Sequence, residues 1–180
     1  MAILDLANLG TRGFIIQGDA AGDLAGGSVA SAGDINGDGY GDVIVGADAG
    51  DDGGASAGEA YVIFGKASGF GPVDLGNIGA AGFVIQGDAA LDKAGFSVAS
   101  AGDVNGDGLG DVIVGAPFGD DGGTDAGEAY VIFGKAGGFG TIDLTNLGET
   151  AGFVIQGDEA GDNVGHSVAS AGDFNHDGID

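Results

Sequence analysis

The chain has no cysteine and only four basic side chains in 180 residues. Without cysteine, disulfides neither staple the fold nor report a redox compartment. The four Lys plus Arg stand against 28 Asp plus Glu, giving a formal charge of -24. Phosphate recognition draws on Lys and Arg, so this balance excludes nucleic acid as a partner, and it argues equally against an anionic membrane surface. It favours cations as partners, or a high-salt or extracellular milieu. No window reaches the roughly 18 apolar residues of a membrane span, so no membrane insertion is expected. The opening Met1-Ala2-Ile3-Leu4-Asp5-Leu6 has no basic segment and no long apolar stretch, and no signal peptide is expected there. Convincing helical periodicity is absent throughout. So are a nucleophile elbow, a phosphate loop and a zinc motif, and the chain reads as a non-enzyme.

Hydrophobic residues make up 43% of the chain, enough for one medium domain with a core rather than an acidic tail. Its 43 glycines far exceed the usual share of about 7% and follow no collagen register, which points to many turns. The chain also repeats itself. "AGDINGDGYGDVIVGA" begins at Ala32, "AGDVNGDGLGDVIVGA" at Ala101 and "AGDFNHDGID" at Ala171, offsets of 69 and 70 residues. "GEAYVIFGKA" recurs at 58 and 127, and "GFIIQGD" or "GFVIQGD" starts at 13, 82 and 152. A period this long is the mark of a repeat architecture.

Each unit holds four strand-like runs: "SVASAGD" (A), "DVIVGA" (B), "EAYVIFG" (C) and "GFVIQGD" (D), separated by Gly, Asp and Ser. The B and C runs are apolar without alternation, as in strands buried on both faces, whereas A is built from small residues. A propeller accounts for both, because its sheets stack radially and crowd toward the axis. The expected fold is all-β, a beta-propeller segment of four-stranded antiparallel blades with A innermost and D outermost. The order D, ABCD, ABCD, A gives two complete blades flanked by partial ones. Units run approximately over 26–94, 95–164 and 165–180, the last truncated, with 1–25 the outer strand of a preceding unit. Propellers take about 4–8 blades, so the chain reads as part of a longer array; exposed blade edges would otherwise favour self-association.

The loop from A to B fits D-x-N-x-D-G-x-x-D. Asp34, Asn36, Asp38 and Asp42 supply side-chain oxygens, and Tyr40 supplies its carbonyl. Hard oxygens at this spacing suit calcium, which takes 6–8 such ligands at about 2.3–2.6 Å. No thiolate or nearby imidazole is offered, which disfavours zinc and copper, and magnesium prefers a smaller octahedral shell. The first half matches an EF-hand, but position 12 is Val45 and strands flank the loop, so this is a strand-loop-strand hairpin. The second copy is complete: Asp103, Asn105, Asp107, Leu109 by its carbonyl, and Asp111. The third offers Asp173, Asn175, Asp177 and Ile179 without a ninth-position ligand, since Asp180 stands where Gly41 and Gly110 stand, and weak or no binding is expected there. For one such loop a hydrated turn is the lesser reading; three in register weigh further against it.

These loops, each followed by a strand that ends in Gly-Ala, resemble the FG-GAP repeat of integrin alpha-chain propellers and of bacterial cell-surface proteins. The Gly-Ala-Pro is complete at Gly115-Ala116-Pro117 and reads Gly46-Ala47-Asp48 in the first unit. The Phe-Gly position holds Ala25-Gly26, Ala94-Gly95 and Val164-Gly165, so the aromatic is missing from all three. The resemblance implies a beta-propeller, commonly seven-bladed, with calcium in the A-to-B loops. It further implies an extracellular or cell-surface setting, with adhesion or protein interaction as the role and a protein or cell-surface ligand as partner. The near-identity of the units and the "GFVIQGD" strand look more bacterial than animal. Two alternatives stand beside it, a non-catalytic accessory propeller of a secreted hydrolase and a calcium-driven self-assembling unit.

Several features are read as architecture. "GDDGG" at 50 and at 119 lies between B and C, where a solvated turn outweighs a second cation site. Asp19/Asp23, Asp88/Asp92 and Asp158/Asp162 recur four apart after D and read as solvation of a turn or as a cap. His166 and His176 have no recurring partner and read as surface residues. Ser28, Ser97 and Ser167 belong to the small inner strand.

Overall fold

Eleven short strands separated by Gly, Asp and Ser turns make up the computed structural model, which describes residues 9–180. In order they are β1 (Ile16–Gln17), β2 (Ser28–Gly33), β3 (Asp42–Ala47), β4 (Glu59–Ile63), β5 (Val73–Asp74), β6 (Gly82–Gln86), β7 (Ser97–Gly102), β8 (Asp111–Ala116), β9 (Glu128–Ile132), β10 (Ile142–Asp143) and β11 (Gly152–Gln156). The fold is all-β. Two antiparallel sheets carry it, β6-β4-β3-β2 and β11-β9-β8-β7, each in the spatial order D-C-B-A of a propeller blade.

The apolar runs make these blades because both faces of B and C are covered. All five residues of β4 and of β9 are buried. Side chains of opposite parity face opposite sides of a strand. Ile44, Ala60, Val62 and Ile85 join Val98, Val112, Val114 and Ile132 in a core between the two blades. Val45, Tyr61 and Ile63 face the other way, onto Leu75, Ile16 and Val73. The small residues of strand A let β2 and β7 lie against one another. Ser28 Oγ accepts a hydrogen bond from the Val98 amide at 3.0 Å, and Ser97 Oγ accepts one from Val168 at 3.1 Å. The serines thus stitch one inner strand to the next.

The glycines of the repeat have a steric reason. A Cβ on Gly46 would collide with the backbone carbonyl of Gly95, and one on Gly115 would collide with that of Gly165. Gly95 and Gly165 themselves have φ of +83° and +86°, the region that favours glycine. The two Gly positions of each repeat therefore meet across neighbouring units, backbone on backbone.

Two departures from the sequence reading are instructive. First, the blade of β2, β3, β4 and β6 has a fifth strand. β10, from the C-to-D connector of the following unit, pairs in parallel with β6, Ile142 opposite Ile85. β5 pairs with β1 in the same way, Ile16 opposite Val73. Two-residue strands leave no periodicity to detect, yet each clasps one unit to the outer strand of the one before. A 3-10 turn follows each, Leu75–Asn77 and Leu144–Asn146, capped by Asp74 and Asp143, whose carboxylates accept from Gly76 N at 3.2 Å and Thr145 N at 3.0 Å. The equivalent residues 6–8, Asn8 among them, fall in 1–8, outside the described residues, and the 3-10 turn at Gly10–Arg12 is the counterpart of Gly79–Ala81. Second, the expected A strand at 167–172 has no ladder. Among the described residues it has no B strand to pair with, and it is tied to β7 through Val168 alone among its backbone amides.

Candidate metal centres

The A-to-B loops turn on their own side chains. Asp34 Oδ1 accepts from the Asp38 amide at 3.0 Å and Oδ2 from the Gly39 amide at 2.8 Å. Asn36 Oδ1 accepts from Asp38 N at 2.9 Å, and Asp38 Oδ1 accepts from Tyr40 N at 2.9 Å. Such Asx contacts are why Asp and Asn favour tight turns. Gly37 and Gly106, at φ of +72° and +73°, supply the left-handed step, which His176 takes at +63° in the third copy.

Asp42 differs from its neighbours. It is 2% exposed, and its two oxygens accept from Ile35 N at 2.9 Å and Gly65 N at 2.7 Å, fastening the hairpin to the end of β4. Burial pushes its carboxyl up, those two amides pull it back, and Asp38 and Asp34 push it up again. Asp111 repeats this with Val104 N at 2.8 Å and Gly134 N at 2.8 Å, and its carboxyl is likewise pushed up, chiefly by burial. Asp103, Asn105, Asp107 and Leu109 reproduce the first loop bond for bond. So do Asp173, Asn175, Asp177 and Ile179, without an equivalent of Asp42. Successive loops also stack: Gly110 N donates to Asp34 O at 3.0 Å, and Asp180 N donates to Asp103 O at 3.2 Å.

The donor set is hard oxygen throughout, and each loop carboxylate oxygen accepts a single hydrogen bond, leaving a lone pair on each. The chemistry fits calcium. A cation would also offset the repulsion from neighbouring loop acids, which adds to burial in raising Asp42 and Asp111.

Sequence reading missed a different set of acids. Among the described residues, two triads bring carboxylate oxygens within 4.8 Å of one another, Asp19/Asp23/Glu59 and Asp88/Asp92/Glu128. Neither belongs to an A-to-B loop. Asp23 and Asp92, expected as solvated turn residues, are buried, at 8% and 4% exposure. Glu59 and Glu128 head β4 and β9 and are fully buried. The signal was an acid opening a strand otherwise composed of apolar side chains, repeated 69 residues on. Its pairing with Asp88 and Asp92 depends on how the D-to-A connector folds back, which no local pattern states. Both histidines are exposed, and His166 rests against Phe96 with ring centroids 4.9 Å apart.

The FG-GAP repeat family model matches residues 25–63 and 94–132, each stretch opening just before strand A and closing at the last residue of strand C. The chain is an FG-GAP repeat protein. Phosphatidylinositol-glycan-specific phospholipase D from Rattus norvegicus is 33% identical over 156 residues, which is 84% of this chain and 18% of that protein. The chain thus spans under a fifth of that relative's length. In these FG-GAP units the two family glycines are the positions that touch across neighbouring repeats.

Proposed function

We propose that this FG-GAP segment is a calcium-binding propeller module whose own role is structural and non-catalytic, presenting a surface for protein interaction or adhesion outside the cell. The observation that carries the reading is the A-to-B loop itself. Its Asp and Asn oxygens bond to the loop's own amides in each unit, and in the first two units the last acid, Asp42 or Asp111, is buried and bonded to the far end of strand C. Asp34, Asn36, Asp38, Asp42 and the Tyr40 carbonyl would hold the ion in the first unit, and Asp103, Asn105, Asp107, Asp111 and the Leu109 carbonyl in the second. Bound calcium supplies positive charge; the residues supply a loop already shaped by their own backbone bonds.

Extracellular calcium modules bind at about 10⁻⁴–10⁻³ M. At ~1 mM calcium and a Kd of ~10⁻⁴ M, each loop would add about 1.4 kcal/mol to stability. The test is thermal unfolding in chelator and after calcium is returned at constant ionic strength. A saturable rise in midpoint that disappears in Asp38→Ala plus Asp107→Ala is expected; an unchanged midpoint would sink the reading.

A second reading is favoured by the similarity to the rat phospholipase D. There the segment would be an accessory propeller attached to a hydrolase, its calcium loops serving the same structural purpose. Finding a catalytic domain on the same polypeptide would decide for it.

A further inference from the structure

The acids at the opposite end of the blades from the A-to-B loops remain unexplained by that function. Glu59 is 0% exposed, and neither of its carboxylate oxygens has a hydrogen-bond partner. Asp19 Oδ1 and Asp88 Oδ1 are likewise buried and unpartnered. A buried carboxylate without a partner is strongly disfavoured. The backbone is nevertheless shaped around it. A Cβ on Gly50 would run into the Glu59 carboxylate, and one on Gly119 into that of Glu128. Those are the leading glycines of the two "GDDGG" loops, which are therefore cradles for a glutamate head group rather than free turns. In the second unit Glu128 Oε1 accepts from Asp121 N at 3.1 Å and Oε2 from the Tyr130 hydroxyl at 3.2 Å, and a cavity of about 390 Å³ opens beside Asp88, Asp121 and Tyr130.

Among the described residues no basic side chain is paired with either triad. Lys93 pairs with Asp48 at 3.6 Å, and Lys66, Lys93 and Lys135 lie over the rings of Phe70, Phe118 and Phe139. A proton shared within a triad would leave two buried negative charges; a divalent cation leaves one.

We propose that Asp19, Asp23 and Glu59, and again Asp88, Asp92 and Glu128, form a second class of divalent-cation site, of calcium type, at the end of each blade away from the A-to-B loops. All donors are oxygens, which matches a hard cation. Asp88 and Asp92 lie on the connector between β6 and β7, and Glu128 on β9, so the ion clips the link between two blades to strand C of the second. Asp19 and Asp23 stand in the same relation to β1 and to Glu59 on β4. In metal-free protein, burial pushes the Glu59 and Asp92 carboxyls up to about 7, in keeping with a site short of positive charge.

The three tyrosines make a test that separates the two kinds of site, since there is no tryptophan. Tyr40 lies in the first A-to-B loop, whereas Tyr61 and Tyr130 stand two residues along their strands from Glu59 and Glu128. Terbium, a calcium surrogate, is titrated into the full chain and its emission read with tyrosine excitation. The proposal expects that Tyr40→Phe keeps a saturable emission displaced by calcium, and that adding Glu59→Gln and Glu128→Gln abolishes it. The glutamine variant should also unfold in chelator at the same temperature as its parent or higher, because two buried carboxylates become neutral amides, yet gain less from calcium. Emission unchanged by the two glutamines, or none in Tyr40→Phe, would overturn the proposal. A partial loss of emission on Asp38→Ala in the parent, with the remainder matching that of Tyr40→Phe, reports on the loop alone, so failure of the loop reading remains distinguishable.

Discussion

The pentapeptide Gly-Phe-Val-Ile-Gln forms β6 and again β11, with opposite outcomes. In β6, Phe83 and Ile85 are 3% and 0% exposed; in β11, Phe153 and Ile155 are 42% and 45% exposed. Phe83 stacks on Phe139 with centroids 4.2 Å apart, whereas Phe153 meets only the tilted ring of Phe133 at 6.0 Å. β6 has β10 on its outer edge and the second blade on its face. Among the described strands β11 has β9 alone. Burial of an outer strand is therefore conferred by the next unit, as expected where repeats bury their cores only by stacking.

The largest expected effect tests that contrast directly. Ile85→Ala should destabilise by about 2–5 kcal/mol in urea unfolding, the range for emptying a packed site. Ile155→Ala should change stability by about 0.5 kcal/mol or less, as exposed positions do. Equal effects would mean that β11 is covered in solution, through association of its open edge.

Calcium removal comes next, at about 1.4 kcal/mol for each occupied loop. The loss should be halved, not abolished, by Asp38→Ala alone, because the Asp107 loop is built from the same bonds. Differential scanning calorimetry of the two single variants and their double checks this additivity.

Smaller is the effect of the inner serines. Ser28→Ala and Ser97→Ala each remove the acceptor for an amide of the next unit and should cost about 1 kcal/mol. Ser167→Ala, whose unit has no following strand among the described residues, should be neutral. Amide exchange should follow the same division, slow at Val29–Ser31 within β2 and fast at the unladdered Ala169–Ala171.

A pH effect in chelator compares Glu59 with Glu128. Both carboxyls are pushed up by burial, Glu59 to about 7 and Glu128 in the same direction, with Asp121 N and Tyr130 pulling Glu128 back. A carboxyl raised on folding binds its proton in the native state first. Stability therefore falls as pH rises from about 4.5 to about 7. Glu59→Gln should flatten that slope more than Glu128→Gln, as read from midpoints at pH 5 and pH 8.

Much of this molecule was written in local pattern. The 69-residue recurrence, the apolar B and C runs and the small A run are enough to specify four-stranded blades and their D-C-B-A order, because each strand must hide the faces its own side chains create. The spacing of Asp34, Asn36, Asp38 and Asp42 likewise shapes a loop from contacts no more than a few residues apart, save for the bond from Asp42 to Gly65. What the chain could not announce were events between units. The two-residue clasps β5 and β10, the backbone contact of Gly46 with Gly95, and the convergence of Asp88 and Asp92 on Glu128 all join residues 35 or more positions apart. They depend on how a connector returns over a blade that is already folded. Local chemistry set each piece, and only the packing of one repeat against the next decided which carboxylates would meet away from water and which copy of the same strand would be buried.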